Sequence, residues 1–197
     1  MSIVVEHEKR RKEILKKALD VFIDEGYIDA TFQKIADRCG ITRTTLYIYF
    51  KNKKEIFSYS IKLLLAGIED DIKVIASNKS LHSVEKIINV LHHIFQHLEK
   101  NRRLLSVVLD YILHISKTNI DPERRISRRT IRMRHILVSM VIEGVNSGQL
   151  KKVNIKTTTD FLYSFVEAAV FHLVVLHRKT VGDLRKTVTF AVKQIKQ

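Results

Sequence analysis

The stretch from Ile41 to Glu55, ITRTTLYIYFKNKKE, follows directly on Gly40 and concentrates one arginine, three threonines, two tyrosines and three lysines. A guanidinium can donate two parallel hydrogen bonds to the O6 and N7 edge of guanine, and a threonine offers both a hydroxyl and a methyl group to a base. Tyrosine hydroxyls and lysine ammoniums donate to phosphate oxygens, which fixes register without reading sequence. Arg43, Thr44 and Thr45 are therefore candidates for base edges, and Tyr47, Tyr49 and Lys53 for phosphates. Leu46 and Phe50 are the residues that would hold this segment against Ile35 and Ala36.

Other reactive side chains are scattered. His93 and His97 stand four residues apart. On a helical projection they fall opposite Val84, Ile87, Leu91 and Phe95, together with Lys86 and Asn89, so a solvated pair and no metal site is expected. His114, Glu167 and His172 each interrupt an apolar helix, where a charge or imidazole needs a partner. All three are candidates for lining a ligand pocket. Cys39 is the single cysteine, which excludes a disulfide framework and a cysteine zinc site. A small packed residue is the better reading of it than a redox sensor. No nucleophile elbow or glycine-rich phosphate loop is present, so neither an enzyme nor a cofactor is expected.

These residues need elements to position them. The 197 residues carry a net charge of +14, which points to a polyanionic partner. With 45% hydrophobic and 28% charged residues the chain is globular, and one proline and six glycines favour long helices. Helical periodicity predicts helices at about 8–25, 31–39, 42–50, 52–75, 81–99, 102–117, 122–146, 157–178 and 181–196. Thr31 and Thr42 are suited to cap the second and third, while Asn52 with Glu55 approximates a capping box for the fourth. The fold expected is all-α with about nine helices: a three-helix helix-turn-helix domain over 1–52, then a larger helical domain over 53–197. Two short helices joined at Gly40 follow helix-turn-helix logic, in which the first props the second into the major groove.

The segment ILKKALDVFIDEGYIDATFQKIADRCGITRTTLYIYFKNKKEIF resembles the DNA-binding domain of the tetracycline-repressor (TetR) family. Ala18, Phe22, Gly26-Tyr27, Thr31, Ile35-Ala36, Gly40, Thr45-Leu46-Tyr47, Tyr49-Phe50, Lys53 and Glu55 carry the likeness. Beyond it, only length, helical pattern and the segment EGVNSGQL are similar. The resemblance implies base contacts from Gln33, Arg43, Thr44 and Thr45, and phosphate contacts from Thr31, Tyr47, Tyr49 and Lys53. Ile48 departs from the family pattern, where a polar or aromatic residue is more usual, and its role stays open.

The last two helices are apolar beyond the needs of one chain. DFLYSFVEAAVFHLVVL is apolar nearly all round, and Leu184, Val188, Ala191 and Ile195 form a stripe on the final helix. The resemblance implies that these helices pair across a two-fold axis, with Phe165, Val175, Leu184, Val188, Ala191 and Ile195 at a homodimer interface. It further implies a palindromic double-stranded DNA operator and a small-molecule inducer that releases it. Phe161 to Leu176 spans 16 residues and contains Glu167 and His172, too short and too polar for a bilayer span. A cytoplasmic protein with no membrane partner is expected. Six arginines between Arg124 and Arg134 form either a solvated basic face or a site for an anion. The reading is a DNA-binding transcriptional regulator, most simply a repressor. Its competitors are a DNA-binding accessory protein without inducer and a small helical enzyme using Glu167 with His114 or His172.

Overall fold

A computed structural model describes the backbone of residues 3–116 and 122–197, and the side chains of residues 5–114 and 131–197. Among the described residues the chain forms nine helices: α1 (Ile3–Asp29), α2 (Phe32–Cys39), α3 (Arg43–Tyr49), α4 (Lys53–Ser77), α5 (Ser83–Lys100), α6 (Arg102–Ser116), α7 (Pro122–Asn146), α8 (Ile155–Val174) and α9 (Gly182–Gln194). The starts follow local chemistry. The Thr31 and Thr42 hydroxyls accept from the free backbone N–H groups of Lys34 and Thr45. Asn52 Oδ1 accepts from Glu55 N at 2.8 Å, while the Glu55 carboxylate returns to Lys51 N at 2.7 Å, so the capping box reaches one residue further back than anticipated.

The chain divides into two compact units, residues 1–67 with 106–122 and residues 68–105 with 123–197. The boundary thus falls some fifteen residues later than the expected one at 52, because α4 runs unbroken and its first turns belong to the first unit's core. Ile56 and Phe57 are fully buried, and Ser60 Oγ donates to the Leu15 carbonyl of α1 at 2.8 Å. In that core Ile14, Ala18 and Phe22 of α1, Ile35 and Ala36 of α2 and Leu46 of α3 are all buried, with α1 packed on α2 and α2 on α3. Tyr27 closes it with an aromatic group not anticipated from the sequence, its ring 5.0 Å from Phe57 and 4.4 Å from Tyr111. Burial pushes the Tyr27 hydroxyl up to about 12, with a smaller contribution from Tyr111.

In the second unit α5 packs on α8 and α9. Arg185 of α9 donates to Glu99 Oε2 at 2.7 Å and to the His92 carbonyl at 2.9 Å, which ties the first turn of α9 to α5. The segment EGVNSGQL has a local reason for its composition. A Cβ on Gly144 would lie 2.5 Å from Leu150 Cδ1, and Gln149 Oε1 accepts from both the N–H and the hydroxyl of Ser83, capping α5. Lys86, expected on a solvated face, is buried and pairs with Glu143 at 2.8 Å. No helix among the described residues is long and apolar enough to cross a membrane.

Candidate nucleic-acid interface

The α2–α3 pair is set by its turn. Gly40 takes φ 69° and ψ 36°, the left-handed conformation open to glycine at little cost, and its N–H caps α2. α3 follows after only Ile41 and Thr42, and its inner face is fixed by fully buried Leu46, with Phe50 buried immediately beyond its end. The opposite side of α3 leaves Arg43, Thr44, Tyr47 and Ile48 exposed. This pattern answers the question left at Ile48: with 69% of its surface exposed it plays no part in the core and stands one turn beyond Thr44 on the outer face.

The individual groups are partly pre-engaged. Arg43 donates through Nη2 to the Tyr47 hydroxyl at 3.3 Å, which leaves four of its N–H groups to project. The Tyr47 ring is stacked on Phe32, with centroids 4.6 Å apart, so this tyrosine is anchored by its face while half exposed. Thr44 is exposed, whereas the Thr45 hydroxyl lies 2.8 Å from that of Thr42 and shares in the cap. Gln33 Nε2 donates along α2 to Asp37 at 2.8 Å, and Thr31 is exposed at its N-cap. Tyr49 is half-buried and stacks on His7 of α1 at 4.5 Å. Lys53 has an internal partner that the sequence did not suggest. Its ammonium donates to the Ile28 carbonyl at 2.8 Å and sits 4.8 Å from the Tyr27 ring centre. Burial holds it below the ordinary lysine range, partly offset by Asp29. Arg11 lies over the rings of Phe50 and Tyr59. Cys39 is buried 3.9 Å from the Ile14 carbonyl, and burial raises its thiol against the pull of nearby Lys17, Arg10 and Arg38.

Several expectations for the rest of the chain need correction. Glu167 is exposed, not buried, and pairs with Arg134 at 3.2 Å. Arg134 also binds Asp160 at 3.1 Å and lies 4.0 Å from the Tyr163 ring centre. His114 is exposed and belongs to the first unit. His172 is half-buried at a cleft of about 310 Å³ formed with Arg178 to Leu184, in the second unit. The three are not brought together within either unit. At the expected dimer interface Val188 is fully buried inside its own chain, since its face of α9 meets α5 and α8. Leu184, Ala191, Ile195 and Phe165 are half-buried and Val175 is exposed. The apolar side chains left open are Phe161, Phe171, Leu176 and Phe190 as well as Val175. The pair His93 and His97 is half-buried rather than solvated, because Asp71 of α4 lies over that face of α5. Burial and the neighbouring His93 hold His97 below the ordinary imidazole range, with Asp71 opposing and Lys100 adding to the effect. Arg124, Arg125, Arg128 and Arg129 lie outside the residues whose side chains are described, while Arg132 pairs with buried Glu69 at 3.3 Å.

A seven-residue helix propped by an eight-residue one through a left-handed glycine, outer face polar and inner face sealed, defines a helix-turn-helix DNA-binding protein. Comparison with known proteins agrees. Residues 14–59 match the family model described as "Bacterial regulatory proteins, tetR family". The chain is 26% identical over 170 residues to the fatty acid metabolism regulator protein of Bacillus subtilis, covering 83% of this chain and 84% of that one. In fold it is similar to the transcriptional regulator FadR of Bacillus subtilis in complex with stearoyl-CoA, with a TM-score of 0.74, 22% identity and 94% and 97% of the two chains covered. A TetR transcription regulator from Haloarcula marismortui gives a TM-score of 0.79 at 18% identity, covering 96% and 97%. Residues 14–59 therefore form a DNA-binding domain of the TetR type, and the chain is a DNA-binding transcriptional regulator.

Proposed function

We propose that this regulator is a homodimeric repressor that reads a palindromic operator with α3 and is released from it by a long-chain acyl-CoA. The outer face of α3 carries the first half of this reading, because Arg43, Thr44 and Ile48 project from a helix whose other side is sealed by Leu46. Arg43 supplies a bidentate donor for guanine, Thr44 a hydroxyl and Ile48 an apolar surface for a thymine methyl. Gln33 and Thr45 are the remaining base contacts of this reading. Thr31, Tyr47, Tyr49 and Lys53 hold phosphates, with Tyr47 seated on Phe32 and Lys53 using one of its three N–H groups internally. The exposed apolar residues of α8 and α9 are the surface for a second copy, and two-fold symmetry presents two copies of α3 to successive major grooves. A protein acting on operators works in the cytoplasm.

The ligand class is supported by likeness over most of the chain to a fatty acid metabolism regulator and to a structure holding stearoyl-CoA. Release requires that the acyl-CoA bind the non-operator arrangement more tightly than the operator-bound one. The test begins with selection of bound DNA from a random pool, then measures affinity for the selected site with and without stearoyl-CoA. Loss of binding on addition, with no loss on addition of free coenzyme A, is the expected result. Retention of full affinity at saturating stearoyl-CoA overturns the ligand assignment and leaves the accessory-protein reading. Arg43→Ala should cost about 1–3 kcal/mol on the selected site and far less on random DNA. Equal losses on both would make Arg43 a phosphate contact.

A further inference from the structure

His93 and His97 lie one turn apart on α5, so their side chains emerge from the same face. Their Nε2 atoms point at each other at 3.0 Å. Asp71 on α4 completes the group, its Oδ2 standing 3.5 Å from His93 Nε2 and 3.7 Å from His97 Nε2. The two rings are inclined at 66° with their centroids 4.5 Å apart. All three residues belong to the second unit.

The geometry points to a divalent transition-metal site of two imidazoles and one carboxylate, with Zn²⁺ the ion it fits. A point equidistant from the three ligand atoms in their plane lies about 2.0 Å from each, the length of a Zn–N or Zn–O bond. Raising the ion a fraction of an ångström out of that plane keeps the bonds at about 2.1 Å and gives three corners of a tetrahedron, whose edges are about 3.3–3.4 Å at such bond lengths. The fourth corner is open to water, since Asp71 lies at the exposed edge of the group. Two imidazoles and one carboxylate suit zinc and its borderline neighbours and exclude the oxygen-only preferences of Mg²⁺ and Ca²⁺. The contact also has a simple electrostatic logic. Two imidazole nitrogens 3.0 Å apart can share one proton between them, whereas a cation satisfies both lone pairs and the carboxylate at once. An ion held there would cross-link α4 to α5.

The experiment uses the full chain without a polyhistidine tag, stripped with a chelator and dialysed. Zn²⁺ is titrated calorimetrically, and Co²⁺ is added separately to read the visible absorption of a tetrahedral site. One ion per chain is expected. His93→Ala, His97→Ala and Asp71→Asn should each weaken uptake by at least about tenfold, the lower range found even for removal of an outer-shell partner. His135→Ala, which alters an exposed histidine outside the group, should leave it unchanged. Circular dichroism of each variant separates loss of the site from loss of fold, and Asp71→Asn, at a solvent-exposed position, keeps the test available should a histidine variant misfold. Absence of saturable uptake of both ions overturns the site, as does uptake undiminished in the His93→Ala/His97→Ala double variant.

Discussion

At the scale of single residues, Lys53 joins two tasks that the sequence presented as one. Its ammonium braces the end of α1 through the Ile28 carbonyl, and its remaining donors are available for a phosphate. Lys53→Ala should lower unfolding free energy by about 1 kcal/mol and reduce the slope of log K against log salt by about 0.9. Denaturant melts and salt titrations of DNA binding measure the two separately, and an unchanged slope would leave Lys53 as a brace alone. Tyr27, under the same ammonium, gives a pH signature. Its folded value of about 12 lies above the ordinary value of 10.0, so the folded state keeps a proton that the unfolded chain loses. The resulting stability is fully present below pH 10 and is lost as the pH climbs toward 12. Tyr27→Phe should flatten the fall in chemical stability over that window, and an equally steep fall in the variant would assign it to other groups.

Among elements, the short ones were the most legible in the sequence. The α2–α3 pair is dictated by neighbours in the chain: Thr31 and Thr42 supply caps, Gly40 the positive φ, and Leu46 the single inward anchor of α3. Gly40→Ala isolates the backbone's share, because a Cβ there meets nothing within 4 Å. The substitution should destabilise by about 1–2 kcal/mol through φ alone, read from a denaturant midpoint at unchanged m-value. A change much below this range would mean that the turn readjusts. The long helices were harder, since a helical projection ranks the faces of a helix without naming what covers them. Lys86 and the His93–His97 pair fall on the polar side of α5, yet Glu143 of α7 and Asp71 of α4 lie against them. Glu167 was misjudged the other way: it interrupts an apolar run, but on the side of α8 that Arg134 meets in solvent. Each error concerns a partner more than twenty residues away in sequence.

For the whole molecule, the outer apolar surface of α8 and α9 is the proposed site of subunit pairing. Stripe and surface are distinct. Val188 is enclosed within its own chain, whereas Phe171 and Phe190 are open, the latter with 66% of its surface exposed. Phe171→Glu and Phe190→Glu should yield a folded monomer with weakened operator binding, measured by sedimentation and circular dichroism. Val188→Ala should instead cost about 2 kcal/mol of stability from two lost methyl groups and a residual cavity, with the oligomeric state unchanged. Persistence of a dimer in both glutamate variants would move the interface elsewhere. The buried thiol of Cys39 also has a practical use. As the sole cysteine, shielded beneath α1 and raised in pKa, it gives the native surface no competing nucleophilic sulfur. One cysteine introduced at Thr44 or Phe190 would then take a maleimide fluorophore alone, so that operator docking and subunit pairing could each be followed optically against a silent background.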